Sequence, residues 1–515
     1  MLKEQAKPIV LTILLLLAIV PATPAADGST GAHDPAQSHT PHGTADLGST
    51  LPLWAGLPFA GILLTIALMP LINDKFWHHN YGKLSAMWAA VFAIPFLVFH
   101  KGIALHEILH IYLTDYFPFI ILLWALFTIS GGIIVRGSLR GTPLINVSLL
   151  VIGTLIASWV GTTGAAMLLI RPLIRANKQR RFKVHIIIFF IFLVANIGGS
   201  LTPLGDPPLF LGFIHGVPFF WTLRMIKPMF TIAVMLLAIF YFLDRHYYLK
   251  EHEEVRLDNQ KPANGKNGND KIRIQGLHNL LFLGGVLGGV LLSGIWHAGE
   301  VSIFGIHVPI QNLTRDGLLI AMGLLSLKFT STAIRTDNEF SWEPIREVAY
   351  LFAGIFMTII PVLAILKAGE NGSMAFIVAF TREPYHFFWV TGLLSSFLDN
   401  APTYLTFFNT ALGSLHLTEP QIAEAMRLSA ETVSAHFGSA VAERCAEFSR
   451  LLLAISTGAV FMGANTYIGN APNFMVKNIA EESGIEMPSF FGYIVKYSAP
   501  ILLPLFFIVT LIYFV

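Results

Sequence analysis

Charge and cysteine are what this chain has least of. Only 12% of its 515 residues are charged, against about a quarter in a soluble protein. With 54% hydrophobic residues, much of them in long runs, such a chain is solvated by lipid rather than water. Its single cysteine, Cys445, excludes an internal disulfide and a cysteine-rich metal site. Lysine and arginine sit in short loops between apolar runs, not on one face of a soluble domain, so no nucleic-acid footprint exists. His106-Glu107-Ile108-Leu109-His110 has the His-Glu-x-x-His spacing, but it belongs to a group of histidines read as clustering near helix ends and given no role. With no Ser/His pairing at membrane depth, this argues against an intramembrane enzyme.

The N-terminus carries Lys3 and Lys7, then the apolar run Ile9–Val20, then the small-residue stretch Pro21–Ala26. This layout predicts a secretory signal over residues 1–26; an uncleaved first helix is the alternative. Residues 27–50 are polar and read as an exported flexible tail, its histidines lacking any ligand spacing. Apolar runs then fill 51–246 and 277–515. Between them, 247–276 holds Lys250, Arg256, Lys261, Lys266, Lys271 and Arg273 with Pro262, Gly265 and Gly268, a cytoplasmic linker by the excess of basic residues. Arg171–Lys183 is the densest basic cluster, also cytoplasmic. Ser414–Ser449 is rich in glutamate and is placed outside.

Four apolar stretches are interrupted at membrane depth. Leu144–Ile174 has basic flanks at both ends and breaks at Gly161–Gly164, so it enters and leaves on one side as a re-entrant hairpin. Phe387–Leu412, broken at Asp399–Pro402, is its counterpart from the other side. Val184–Phe220 breaks around Gly198–Pro208, and Arg450–Ile479 breaks at Gly463–Pro472. The last two breaks align without a gap: Gly199, Thr202, Gly205, Pro208 and Phe210 meet Gly463, Thr466, Gly469, Pro472 and Phe474, with Asp206 opposite Asn470. The hairpins align less closely. The halves thus form an inverted-topology repeat. The expected fold is an all-α polytopic membrane protein of about ten transmembrane helices plus two hairpins, two of the helices being interrupted.

An unpaired backbone group in hydrocarbon costs several kcal/mol, so irregular backbone survives at this depth only where protein or a wet cavity satisfies it. Freed carbonyls beside Thr and Asn oxygens suit a desolvated Na⁺, and half-helix N-termini suit an anion. Asp206 and Asp399 lie in such breaks. Each could exchange a proton for Na⁺, or simply cap the following half-helix. Arg171 could face an anion, and snorkelling to the basic surface is the competing reading.

The motifs Asn196-Ile-Gly-Gly-Ser-Leu-Thr-Pro-Leu-Gly-Asp-Pro-Pro208, Leu398-Asp-Asn-Ala-Pro-Thr403 and Gly469-Asn-Ala-Pro-Asn473 resemble the ion transporter superfamily. That group includes NhaD-type sodium/proton antiporters, citrate and dicarboxylate transporters, and arsenite/P-protein permeases. The resemblance covers nearly everything after residue 50. It implies, as is often so in that group, a homodimer with a scaffold and a transport subdomain; the expected location is a bacterial-type inner membrane. It also implies Na⁺ sites at the hairpin tips, near Thr163, Thr202, Asp399 and Thr466. The ion or substrate positions carried over are Thr162, Thr163 and Gly164; Asn196, Thr202, Gly205 and Asp206; Asp399, Asn400 and Thr403; and Asn465, Thr466, Gly469 and Asn470. No cofactor is implied beyond Na⁺ and H⁺ as transported or coupling ions. The Ser-Asn-Thr signature of dicarboxylate members is missing from both tips, and the Gly-Asp-Pro-Pro element is closer to the antiporter and permease branches. The expected function is therefore Na⁺/H⁺ antiport, with Na⁺- or H⁺-coupled transport of citrate or a related organic anion as the alternative.

Overall fold

Helix dominates because backbone groups in lipid must be satisfied within their own segment. The computed structural model describes residues 44–137, 139–251 and 273–515. The expected signal segment, most of the polar stretch after it and most of the linker lie outside the described residues. The end of that polar stretch, Thr44–Thr50, is a short helix.

The main helices are α1 (Leu57–Ile72), α2 (Asp74–Ile111), α3 (Phe117–Ser130), α4 (Pro143–Val160), α5 (Thr162–Ala176), α6 (Val184–Leu193), α7 (Pro207–Ile214) and α8 (Ile226–Leu249) in the first repeat. In the second they are α9 (Asn279–Ile295), α10 (Ile310–Phe329), α11 (Glu343–Lys367), α12 (Pro384–Phe397), α13 (Asn400–Ser414), α14 (Ser439–Met462), α15 (Ala471–Glu482) and α16 (Ala499–Tyr513). Two short two-stranded ladders accompany the helices. Strand β1 (Ile134–Arg136) pairs antiparallel with β2 (Arg273–Gln275), which ties the end of the linker to the first repeat, and β3 (Glu300–Ile303) pairs with β4 (Ile306–Pro309).

Eight stretches among the described residues are long and apolar enough to cross a membrane. One of them, Lys75–Ser130, has 56 residues. That is about 84 Å of helix, far more than one passage through hydrocarbon about 30 Å thick. It divides at Lys101, whose backbone is non-helical at φ 45°. The chain climbs along α2, reverses there, and descends into α3 through a π-turn at Tyr112–Tyr116. Two expected breaks leave the chain within one continuous passage: α6–α7 and α14–α15. The other two reverse it: α4–α5 and α12–α13. The reversal at Gly161 needs φ 81°, a backbone region that glycine occupies without strain.

The packing explains why four weak breaks survive together. Each second half-helix lies on the hairpin of the other repeat, α7 against α13 and α15 against α5, while α12 packs along α14. Around this core stand α1, α2, α3, α9, α10 and α11, where α2 packs on α11 and α3 on α10. The centre is apolar and dense: Ile186 to Val194 are all essentially inaccessible. The basic loops Arg136–Arg140 and Arg175–Lys183 mark one end of the bundle. The acidic segment after α13 marks the other, and it holds two small helices, Glu419–Ala425 and Ala430–Phe437.

Candidate functional site: the crossing of four broken segments

Both breaks in the continuous passages are built the same way. The Thr202 hydroxyl donates to the Ser158 carbonyl, and the Thr466 hydroxyl donates to the Ser396 carbonyl. Ser158 and Ser396 return the contact, Ser158 Oγ to the Gly198 carbonyl and Ser396 Oγ to that of Met462. These reciprocal bonds satisfy carbonyls that the breaks have freed. They also set the hairpin register that the sequence alignment left open: Ser158 corresponds to Ser396, and so Thr162 to Asn400.

Asp206 sits where the four segments meet. Its side chain is 1% exposed. Thr162 Oγ1 donates to Oδ1 at 3.1 Å, Asn470 Nδ2 donates to Oδ1 at 3.0 Å, and Asn400 Nδ2 donates to Oδ2. One carboxylate thus gathers both hairpin tips and the second break. Its side chain makes no bond to the N-terminus of α7, so the capping reading does not describe it. Asp399 is different: its Oδ1 accepts from Ala401 N at 3.1 Å, which caps α13. Asp399 also lines the central cavity.

The other expected positions divide by what their atoms do. Asn196 donates to Asn473 Oδ1 at 2.7 Å and accepts from Asn470 at 3.3 Å, which joins the two breaks. The Thr466 hydroxyl also accepts from Ile468 N and Gly469 N. With one proton given and two lone pairs taken it is saturated, so it braces the break and has no oxygen left for Na⁺. Thr202 Oγ1 accepts from Leu204 N as well as donating, and keeps one lone pair. Thr403 Oγ1 turns back to the Asp399 carbonyl. Asn465 Nδ2 donates to Ser396 Oγ. The Asn465 and Asn400 side-chain carbonyls are buried without a hydrogen-bond partner, which leaves two oxygens able to accept a cation. A Cβ at Gly205 would lie 2.1 Å from the Gly199 carbonyl oxygen, and one at Gly469 2.5 Å from that of Gly463; both glycines are there for close approach. Thr163 and Gly164 line the cavity. Asn473, which donates to the Gly463 and Thr466 carbonyls, belongs to the same network and was not among the expected site residues, although it ends a quoted motif.

The cavity holds about 690 Å³. It runs from Thr162, Asp206, Asp399 and Asn470 to the start of α2, the start of α11 and the end of α15, so it opens at the basic end of the bundle. Arg171 is on its wall and pairs with Glu339 at 2.8 Å. Its side chain is 14% exposed, and its guanidinium reaches Glu339, which is 68% exposed.

A search of the curated proteins found no match. A family model, CitMHS_2, described as "Putative citrate transport", matches residues 48–514. That match spans both hairpins, both interrupted helices and every residue of the crossing, and it places citrate transport ahead of the expected Na⁺/H⁺ antiport. The chain, a multi-pass membrane protein of inverted repeats around one buried carboxylate, belongs to this citrate-transport family.

Proposed function

We propose that the protein is a secondary carrier, not an enzyme, that moves citrate or a related carboxylate coupled to Na⁺ or H⁺. The family supplies the substrate class. The observation that carries the coupling is Asp206: its side-chain partners, Thr162, Asn400 and Asn470, are all neutral. A carboxylate at membrane depth with only neutral partners is costly unless a cation or a proton joins it. Two partnerless amide oxygens, on Asn400 and Asn465, lie in the same crossing, and oxygen is what Na⁺ takes. Occupation of such a site would hold the two hairpin tips and the two breaks together, and its loss would free them. That is the requirement for alternating access around a fixed midplane site. Read with the basic end in the cytoplasm, the cavity is the inward path.

A second reading, Na⁺/H⁺ exchange without an organic substrate, is favoured by one feature. The cavity wall is acidic, with Glu339, Glu343, Glu347, Glu481 and Glu482, which suits cations. Citrate uptake into proteoliposomes, driven in turn by a Na⁺ gradient and by a pH gradient, decides between them. Uptake driven by either supports the carrier. Dissipation of a pH gradient by Na⁺ with no citrate present, and no citrate uptake, would establish the exchanger instead.

A further inference from the structure

The acidic wall poses a problem for an anion. Among the described residues that line the cavity, Arg171 is the one lysine or arginine. It lies on the α5 face that also presents Thr163 and Met167 to the cavity, at the i, i+4 spacing of a helix stripe. From the tip residue Thr162 to Arg171 the helix rises about 14 Å, so Arg171 stands towards the mouth, away from Asp206.

Its present partner is a poor match for it. Nε and Nη2 both donate to one oxygen, Oε2 of Glu339, at 3.0 and 2.8 Å. Nη1 is buried with no hydrogen-bond partner. The fork that a guanidinium offers a carboxylate, two parallel bonds to two oxygens, is therefore not formed. Glu339 is 68% exposed and has a backbone φ of 50°, a left-handed conformation uncommon for glutamate. An ion pair with so exposed a carboxylate is weak, because water screens it and both side chains lose freedom. A half-buried guanidinium with its Nη1 unpartnered is thus held by a carboxylate that is easily exchanged for another.

We propose that Arg171 receives a carboxylate group of the transported anion in the mouth of the cavity, and that Glu339 is the resident carboxylate it displaces. This rests on the citrate reading above. The pair gives a sign that a purely structural salt bridge does not. If Glu339 competes with substrate, its removal tightens substrate binding, whereas removal of Arg171 weakens it. A bridge that only fixes the fold weakens function from both sides, and a bridge that only gates the path alters maximal rate.

The test is the KM and maximal rate of [¹⁴C]citrate uptake by the full-length protein in proteoliposomes, with thermal melts of each variant. Glu339→Gln is expected to lower KM about threefold to tenfold. Arg171→Gln is expected to raise it about tenfold or more, with Arg171→Lys between, since an ammonium keeps the charge and loses the fork. The double variant should resemble Arg171→Gln. An unchanged or raised KM in Glu339→Gln, or a change in its maximal rate alone, would overturn the proposal. That variant alters an exposed side chain, so the result stands even if Arg171→Gln fails to fold. Wild-type protein that takes up no citrate would instead overturn the substrate reading, and the proposal with it, before any variant is compared.

Discussion

Thr162 and Asn400 stand at matching places on the two hairpins and hold opposite oxygens of one carboxylate, Asp206. The repeat is symmetric in its braces, yet its centre is not. Asn470, which occupies the place of Asp206 in the second repeat, donates to the same carboxylate. Two carboxylates at these positions would face each other across hydrogen-bond distance and repel. One acid and one amide give a single negative centre with a donor already aimed at it.

Removal of that centre is the most direct test of the coupling. Asp206→Asn keeps the size but sets an amide against three side-chain donors. Stability should fall by about 1–3 kcal/mol, the usual cost of buried mismatched polar groups, and gradient-driven citrate uptake should be lost. Asp399→Asn should be milder, because asparagine caps a helix about as well as aspartate. Uptake and melting temperature, measured together in both variants, separate coupling from folding. Undiminished gradient-driven uptake by Asp206→Asn would take this carboxylate out of the mechanism.

The paired glycines should prove structural. Alanine at Gly205 would drive its Cβ to 2.1 Å from the Gly199 carbonyl oxygen, and at Gly469 to 2.5 Å from that of Gly463 and 2.7 Å from that of Ser395. Backbone oxygens cannot swing aside as side chains do. Each alanine is expected to cost about 1–3 kcal/mol through overpacking, read as a lower melting temperature. A wild-type melt would mean that the close approaches carry no weight.

Thr466 offers a sharper contrast. Valine there would strand the Ser396 carbonyl and the Ile468 and Gly469 amides in a buried site, at about 1–3 kcal/mol for the unsatisfied groups. Serine keeps the hydroxyl. Thermal melts should therefore rank wild type close to Thr466→Ser and well above Thr466→Val. Equal melts for the two variants would show that the hydroxyl is not a brace.

Much of this architecture is legible in the sequence because lipid forbids irregular backbone. Gly161-Thr162-Thr163-Gly164, Gly205-Asp206-Pro207-Pro208, Asp399-Asn400-Ala401-Pro402 and Gly469-Asn470-Ala471-Pro472 interrupt apolar runs where nothing but function explains an interruption, and the four do meet. What the sequence hides is the division of labour among them. Thr466 and Thr202 have the same identity and the same aligned place as candidate ligands, yet their hydroxyl protons go to the carbonyls of Ser396 and Ser158, and only Thr202 keeps a free lone pair. Such pairing across hundreds of residues leaves no local signal. Ser158 and Ser396 look like ordinary helix residues for the same reason. In sequence Arg171 reads equally as a snorkelling arginine, and its pairing with Glu339, from the other repeat, is visible only in the folded chain.

Orientation follows from the charges at the two ends. In a Cys445→Ala background, a cysteine at Gly265, in the expected cytoplasmic linker and outside the described residues, should react only from the cytoplasmic side. One at Ser434, in the small helix Ala430–Phe437, should react only from outside. The measurement is labelling by a membrane-impermeant thiol reagent in intact cells and in inverted vesicles. Reaction of both from the same side would contradict the inverted repeat.

The acidic end of the bundle should respond to pH through Glu419. This residue opens the helix Glu419–Ala425, outside the membrane-spanning stretches. Lys367 Nζ at the end of α11 reaches its Oε1 at 2.7 Å, and His215 Nδ1, just past α7, reaches its Oε2 at 2.7 Å. His215 Nε2 in turn lies 3.6 Å from Asp115. The cluster therefore ties the end of a broken helix to α11 and to the π-turn before α3. Burial alone would raise the Glu419 carboxyl, but Lys367 and His215 outweigh it and hold it well below the ordinary value of 4.5. A carboxyl depressed in the folded state stabilises the fold above its unfolded pKa, and that contribution drains away as pH falls towards the folded value. Glu419→Gln removes it at every pH. The melting temperature of Glu419→Gln should accordingly lie below that of wild type at neutral pH, and the gap should narrow as pH drops below about 4.5. Melts from pH 7 down to the limit of solubility measure it. A gap of constant size across that range would mean that Glu419 contributes packing and no charge.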